Sequence, residues 1–286
     1  MEHYPVMKEA VLNYLDPKDG GIYVDATCGH GGHSRYLLET NRNIRLYGLD
    51  KDGDAIAAVS GELTAFKNFK AIQCGYENMD EALRNEGIDG VDGILMDLGF
   101  STDQIKDAER GFSFQIEGPI DMRYDRGADL TAGEIVNRWS RNDLIWIFEN
   151  LGEIRKARKI VDALVERRKE KRFETTIELA DFIKQHCRHR TKIHPATKFF
   201  MALRIATNNE TETIRQGLIK AAEVLKRGGR LVVISLHSIE DRIVKHFFRE
   251  NEKLRILTKK PVTADERELS INPESRSAKL RACERK

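Results

Sequence analysis

Asp25-Ala-Thr-Cys-Gly29-His-Gly31-Gly32-His33-Ser34 follows directly on the apolar run Ile22-Tyr23-Val24. An acid, a cluster of glycines and then residues suited to a helix describe a strand entering a tight turn. A second apolar run, Ile44 to Leu49, ends in Asp50. Glycines let a ligand approach the backbone because no Cβ stands in the way. A carboxylate ending the next strand can accept both hydrogen bonds of a ribose diol. The two together make a nucleoside-binding frame.

What that frame holds is narrowed by spacing. A dinucleotide fingerprint reads G-x-G-x-x-G, but its third glycine is replaced here by Ser34. An acid followed by G-x-G-G looks more like a class I S-adenosylmethionine methyltransferase, whose ligand has no pyrophosphate to cradle. A dinucleotide site and an unliganded strand–turn–helix stay open on this motif alone.

Four further groupings could do chemistry. Asp97-Leu-Gly99-Phe-Ser-Thr-Asp-Gln104 ends a fourth apolar run, where α/β sheets place their ligands. Asp97 can accept a hydrogen bond from an amine there, or simply cap a turn. The stretch Arg110 to Asp125 holds Phe112, Phe114 and several glycines and arginines. Aromatic faces can stack on an unpaired base and arginines can hold phosphate; an ordered structural loop is the competing account. Ser235-Leu-His237-Ser-Ile-Glu240-Asp241 brings serine, histidine and acids together, but the G-x-S-x-G elbow of a hydrolase is absent. Polar residues opening a helix explain it better. His186, Cys187, His189 and His194 lie among Arg188, Arg190 and Lys192. The spacing fits no zinc signature, no metal is expected, and the arginines are candidates for phosphate.

These groups need a scaffold. Apolar runs at 22–26, 45–50, 70–74 and 93–98 alternate with helical stretches at 34–39, 54–67 and 78–85. That alternation predicts a parallel, doubly wound sheet. The next clear strand is Gly229 to Ser235, so residues 106–199 are expected to form an inserted helical domain. Its predicted helices are 131–138, opened by a Thr131-x-x-Glu134 capping box, 142–150, 153–172 and 175–187. The chain should return through 202–225 to the fifth strand, followed by a helix at 239–251 and short strands near 254–258 and 278–282. The expected division is 1–105 with 200–286 as the sheet domain, and 106–199 as the insert.

Charge is unevenly divided along the chain. Residues 1–150 carry 15 Lys and Arg against 27 Asp and Glu, and residues 151–286 carry 33 against 19. A net of −12 followed by +14 points to a polyanionic partner. No apolar stretch approaches the ~20 residues of a membrane span, and Met-Glu-His-Tyr-Pro is not expected to open a secretory leader. Four scattered cysteines without a C-x-x-C pair suit a reducing, cytoplasmic location.

The motifs, taken together, resemble the RsmH (MraW) type of ribosomal RNA small-subunit cytosine N4-methyltransferases almost end to end. The resemblance includes His3-Tyr-Pro-Val6, Gly29 to Ser34, Asp97-Leu-Gly99, Gln104, Arg110-Gly-Phe-Ser-Phe114, Gly118-Pro-Ile-Asp-Met-Arg123, His194-Pro-Ala-Thr197, His237 to Arg242 and Arg276 to Arg281. It implies a Rossmann-like class I methyltransferase with an inserted helical domain, S-adenosylmethionine as cofactor, and N4-methylation of a decoding-centre cytidine in 16S RNA. It also implies cofactor contacts from Gly31, Gly32, His33, Asp50, Tyr76, Asp97 and Gln104, with Tyr76 standing where the family usually has phenylalanine beside the adenine. Met201, Thr207 and Leu236 depart from the usual glutamine, valine and phenylalanine.

Asp97 is the candidate catalytic acceptor for the cytosine amine. Phe112, Phe114 and the cations Arg155, Arg158, Arg167, Arg168, Arg188 and Arg190 are candidates for RNA contact, on a base that leaves its stack. The expected partner is small-subunit ribosomal RNA or the small subunit, with a homodimer left open and no membrane. The alternative function is a non-catalytic RNA-binding ribosome-assembly factor on the same fold.

Overall fold

The computed structural model describes residues 4–99, 102–187 and 194–286, except the side chains of residues 102, 103 and 274. The chain forms two compact units, Met1–Gly99 with Thr211–Lys286, and Phe100–Glu210.

The first unit is a sheet covered on both faces. Its first half runs α1 (Lys8–Leu15), β1 (Ile22–Asp25), α2 (Gly32–Thr40), β2 (Arg45–Asp50), α3 (Gly53–Glu62), β3 (Phe69–Gln73), α4 (Met79–Asn85) and β4 (Val91–Asp97). The second unit follows with α5 (Thr102–Lys106), α6 (Ala132–Arg138), α7 (Arg141–Asn150), α8 (Arg158–Glu170), α9 (Thr176–His186) and α10 (Ala196–Thr207). Then α11 (Glu210–Val224) leads back to β5 (Leu225–Ser235), α12 (Ser238–Glu250), β6 (Leu254–Ile256), β7 (Val262–Thr263), α13 (Glu266–Ile271) and β8 (Lys279–Arg285).

Strand order is β3-β2-β1-β4-β5-β8-β6, with β7 also on β8. The first five strands are parallel, and β8 pairs antiparallel with β5. Their sequences read as unbroken apolar runs because alternate side chains enter opposite cores. Val24, Ile94, Met96, Leu231 and Val233 pack on one side. Tyr23, Leu46, Leu95, Val232 and Ile234 pack on the other. The chain winds one way from β1 and the other way from β4, so the crevice between their carboxyl ends is the switch point where such sheets bind ligands.

The second unit packs α6 to α10 around Ile135, Leu144, Ile147, Leu164, Leu179 and Leu203, with Phe148 edge-on to Phe199 at 4.8 Å. The sequence boundary at 199/200 falls inside α10. Within the return segment 202–225, α10 and α11 are separated by Asn208 and Asn209. Asn208 Nδ2 donates to the Met122 carbonyl at 2.7 Å and its Oδ1 accepts from Tyr124 N–H at 2.8 Å. Asn209 has φ +48°, a conformation that asparagine tolerates better than most residues. Below the break, Arg204 forms a buried two-pronged ion pair with Glu210, at 2.7 and 2.9 Å. Helix α8 starts five positions later than its predicted start at 153, because Glu153 and Lys156 take φ +48° and +64°. Among the described residues no helix is long and apolar enough to cross a membrane.

Candidate functional site

The carboxyl ends of β1, β2 and β4 are joined by a network built from the first motif. Asp25 is buried, and its carboxylate accepts from Ser34 Oγ at 2.7 Å. Burial pushes the Asp25 carboxyl above its ordinary range, opposed by the charge of His33 and the Ser34 hydrogen bond. Thr27 Oγ1 accepts from the Asp97 backbone N–H at 2.7 Å, so β1 fixes where β4 ends. Asp97 Oδ2 stands 3.5 Å from His33 Nε2, too long for a strong hydrogen bond. Both ring nitrogens of the buried His33 lack a hydrogen-bond partner among the described residues.

Asp50 is held rigidly. Its two oxygens accept from the backbone N–H groups of Gly29 and Asp52, each at 2.9 Å. Burial nevertheless raises its carboxyl above the ordinary range, those N–H groups pulling the other way. Gly29 has φ +50° and open space where a Cβ would stand. Gly31, at φ +84°, is glycine for a different reason: a Cβ there would lie 2.6 Å from Val59 Cγ2 and 3.2 Å from Leu63 Cδ1. Gly31→Ala should therefore lose roughly 2–4 kcal/mol, from left-handed strain plus overpacking against α3. Gly29→Ala carries only the conformational part, about 1–2 kcal/mol. Denaturant melts of both variants check the order; equal losses would remove the packing role of Gly31.

Tyr76 opens the one-turn helix Tyr76–Asn78 after β3. Its ring lies so close to α11 that a Cβ on Gly217 would come within 2.3 Å of Tyr76 Cδ2. Sequence reasoning missed Gly217 as a positioning residue. The available signal was a glycine inside a helical pattern, which costs about 1 kcal/mol and so asks for a packing reason. It also missed Thr27 and Ser34, whose partners lie on other elements. Gly32 begins α2. Gln104 lies on α5, in the second unit. His237 and Glu240 serve α12: Glu240 Oε2 accepts from the N–H groups of Leu236 and His237 at 2.8 and 3.2 Å, as the helix-opening account expected.

The second unit sorts its aromatic and basic candidates. The Phe112 ring stacks on Tyr124 at 5.6 Å. Phe114 is packed between His194 at 4.8 Å and Phe200 at 5.0 Å. Arg167 pairs with Glu178 at 2.5 Å and caps the Lys171 carbonyl. Arg168 donates to the carbonyls of Val136 and Trp139 at 2.7 and 2.6 Å. Both guanidinium groups tie α8 to its neighbours. Arg155 and Arg158 are exposed in the turn before α8 and at its start, beside exposed Lys156 and Lys159. None of these four forms an ion pair among the described residues. Arg188 and Arg190 lie outside the described residues.

Chemically, the first unit gathers Asp25, Asp50 and Asp97 at adjoining strand ends. Three carboxylates would repel a pyrophosphate and suit a ligand carrying hydroxyl donors and positive charge. The residues present thus fit an adenosine joined to a cationic amino acid better than a dinucleotide.

The sequence profile described as the MraW methylase family matches residues 1–286. The chain is similar to "Ribosomal RNA small subunit methyltransferase H" of Persephonella marina, 46% identical over 100% of this chain and 99% of that protein. The protein of the same description from Coprothermobacter proteolyticus is 46% identical over 98% and 95% of the two chains. Among solved structures, an rRNA methylase from Streptococcus thermophilus aligns with a TM-score of 0.46 and 13% identity, over 97% of this chain and 93% of that one.

Proposed function

The chain belongs to the MraW methylase family, and from that premise we propose that it transfers a methyl group from S-adenosylmethionine to the N4 amine of a decoding-centre cytidine in small-subunit ribosomal RNA. The observation that carries this reading is the convergence of Gly29, His33, Asp50 and Asp97 at the carboxyl ends of β1, β2 and β4. When bound, S-adenosylmethionine supplies a methyl group made electrophilic by its sulfonium.

Gly31, Gly32 and His33 form the turn against the cofactor. Asp50, immobilised by two backbone N–H groups, receives the ribose hydroxyls. Tyr76, backed by Gly217, offers its ring to the adenine. Gln104 completes the proposed contacts from α5. Asp97 has the catalytic part. The cytosine amine is a weak nucleophile because its lone pair is delocalised into the ring. A carboxylate accepting one N–H favours a pyramidal nitrogen and stabilises the positive charge that develops there. Most of the remaining work is positioning.

Phe112 is the proposed stacking partner for RNA, and Arg155 and Arg158 the proposed phosphate contacts, joined by Lys156 and Lys159. The protein acts in the cytoplasm, where its substrate is assembled. Mass spectrometry of small-subunit RNA from cells with and without the protein tests the reading. Loss of one N4-methyl mark is expected, restored by the wild-type chain. An unchanged RNA methylation pattern would refute it.

A further inference from the structure

One carboxylate oxygen in the residue that follows Tyr76 has no donor among the described residues. Parallel pairing sets Asp50 beside Gln73, and Cys74 N–H donates to the Asp50 carbonyl at 2.8 Å. The chain leaving β3 therefore starts alongside the chain leaving β2. Side chains join the two again a few residues on, where Lys51 Nζ donates to Glu77 Oε1 at 3.1 Å. The other oxygen, Oε2, is buried and has no hydrogen-bond partner among the described residues. It lies against Gly75, where an added Cβ would come within 2.3 Å of it. Any side chain at position 75 would displace this carboxylate. A buried acceptor left without a donor is costly and calls for a partner.

We infer that Glu77 Oε2 accepts a hydrogen bond from the 6-amino group of the cofactor's adenine, and so makes the site select adenine over a 6-oxo purine. This rests on the cofactor reading given above. Such a cofactor carries three kinds of donor: ribose hydroxyls, the amino-acid ammonium and the exocyclic amine of the base. Asp50 takes the hydroxyls at the end of β2. The base hangs from the same sugar, and Tyr76, the flat side chain assigned to it, directly precedes Glu77. An acceptor without positive charge on its second oxygen matches an amine edge. The carbonyl edge of a 6-oxo purine would set oxygen against oxygen, with no proton between them. Lys51 holds Oε1, which leaves Oε2, on the Gly75 side, as the oxygen assigned to the base.

Calorimetry on the full chain, with S-adenosylhomocysteine and its 6-oxo counterpart S-inosylhomocysteine, tests this. Wild type should bind the adenine ligand roughly 30-fold or more tightly than the 6-oxo one, the scale of discrimination when a buried polar group is left unpaired. Glu77→Gln keeps the shape and adds an amide that can donate to O6. It should narrow the preference at least about tenfold, partly by improving the 6-oxo ligand. Glu77→Asp withdraws the oxygen by one methylene, and should weaken the adenine ligand while leaving the other unchanged; it serves if the glutamine variant does not fold. Equal wild-type affinities, or a ratio unmoved by either substitution, would overturn the inference while leaving the cofactor reading intact. Wild type binding neither ligand would overturn both.

Discussion

Asp97→Asn should lower turnover at saturating S-adenosylmethionine by about 10²–10³-fold, the usual cost of deleting one preorganised electrostatic partner of a transition state. The substitution preserves shape, and the Asp97 backbone keeps its bond to Thr27 Oγ1, so the variant should melt within about 1 kcal/mol of wild type. The amide can still accept through its oxygen but no longer offers negative charge to a nitrogen becoming positive. Single-turnover methylation of small subunits separates the two roles open to this residue. A large fall in rate with little change in cofactor KM places Asp97 on the amine. Near-normal turnover with a raised cofactor KM would move it to cofactor holding alone.

Replacing Arg155, Lys156, Arg158 and Lys159 together by glutamine should weaken binding to small-subunit RNA by about two orders of magnitude near 0.1 M salt. The slope of log affinity against log salt should flatten by about 3–4, close to one unit per lost phosphate contact. These cations stand at the start of a helix with no acidic residue in its first turn and no side-chain cap. Four positive groups there oppose the helix dipole, so their removal should not reduce stability. Arg167→Gln and Arg168→Gln should behave oppositely. They cut ties to Glu178, Val136 and Trp139, lowering the melting temperature while leaving the salt slope near that of wild type. A quadruple variant with an unchanged slope would exclude the 155–159 surface from RNA docking.

The difference between those two pairs of arginines shows where sequence is informative. All are basic residues in a helical, positively charged stretch, and nothing local distinguishes them. Their roles depend on carbonyls and acids that folding brings from α6 and α9. By contrast, Asp50 and Gly29 were legible because strand, turn and acid each leave a local mark, and the next strand's acid meets the turn by topology alone. The five parallel strands were legible as runs apolar on both faces. The short α1 was not anticipated, although Val11 and Leu15 are both in the core. The two-residue β7 was also missed, since so brief a pairing carries no pattern. The break at Asn208 depends on Met122 and Tyr124, more than eighty positions away. Glu77 and Gly217 became interesting only through what lies against them.

The adjacency of β4 and β5 also bears on how the molecule acquires its shape. These central strands pair in register from Val91 with Leu225 to Asp97 with Ile234, although the entire second unit separates them along the chain. Joining the ends of so long an unstructured segment is entropically unfavourable, with a cost that grows as the logarithm of its length. Each of the helices α6 to α10 forms through hydrogen bonds local in sequence, which are fast to make. If they condense first, the span to be closed is a compact body instead of a loose coil. Lesions in their interior, such as at Phe148 or Leu164, should then slow completion of the distant sheet, and the delay would be visible as a lag in refolding kinetics.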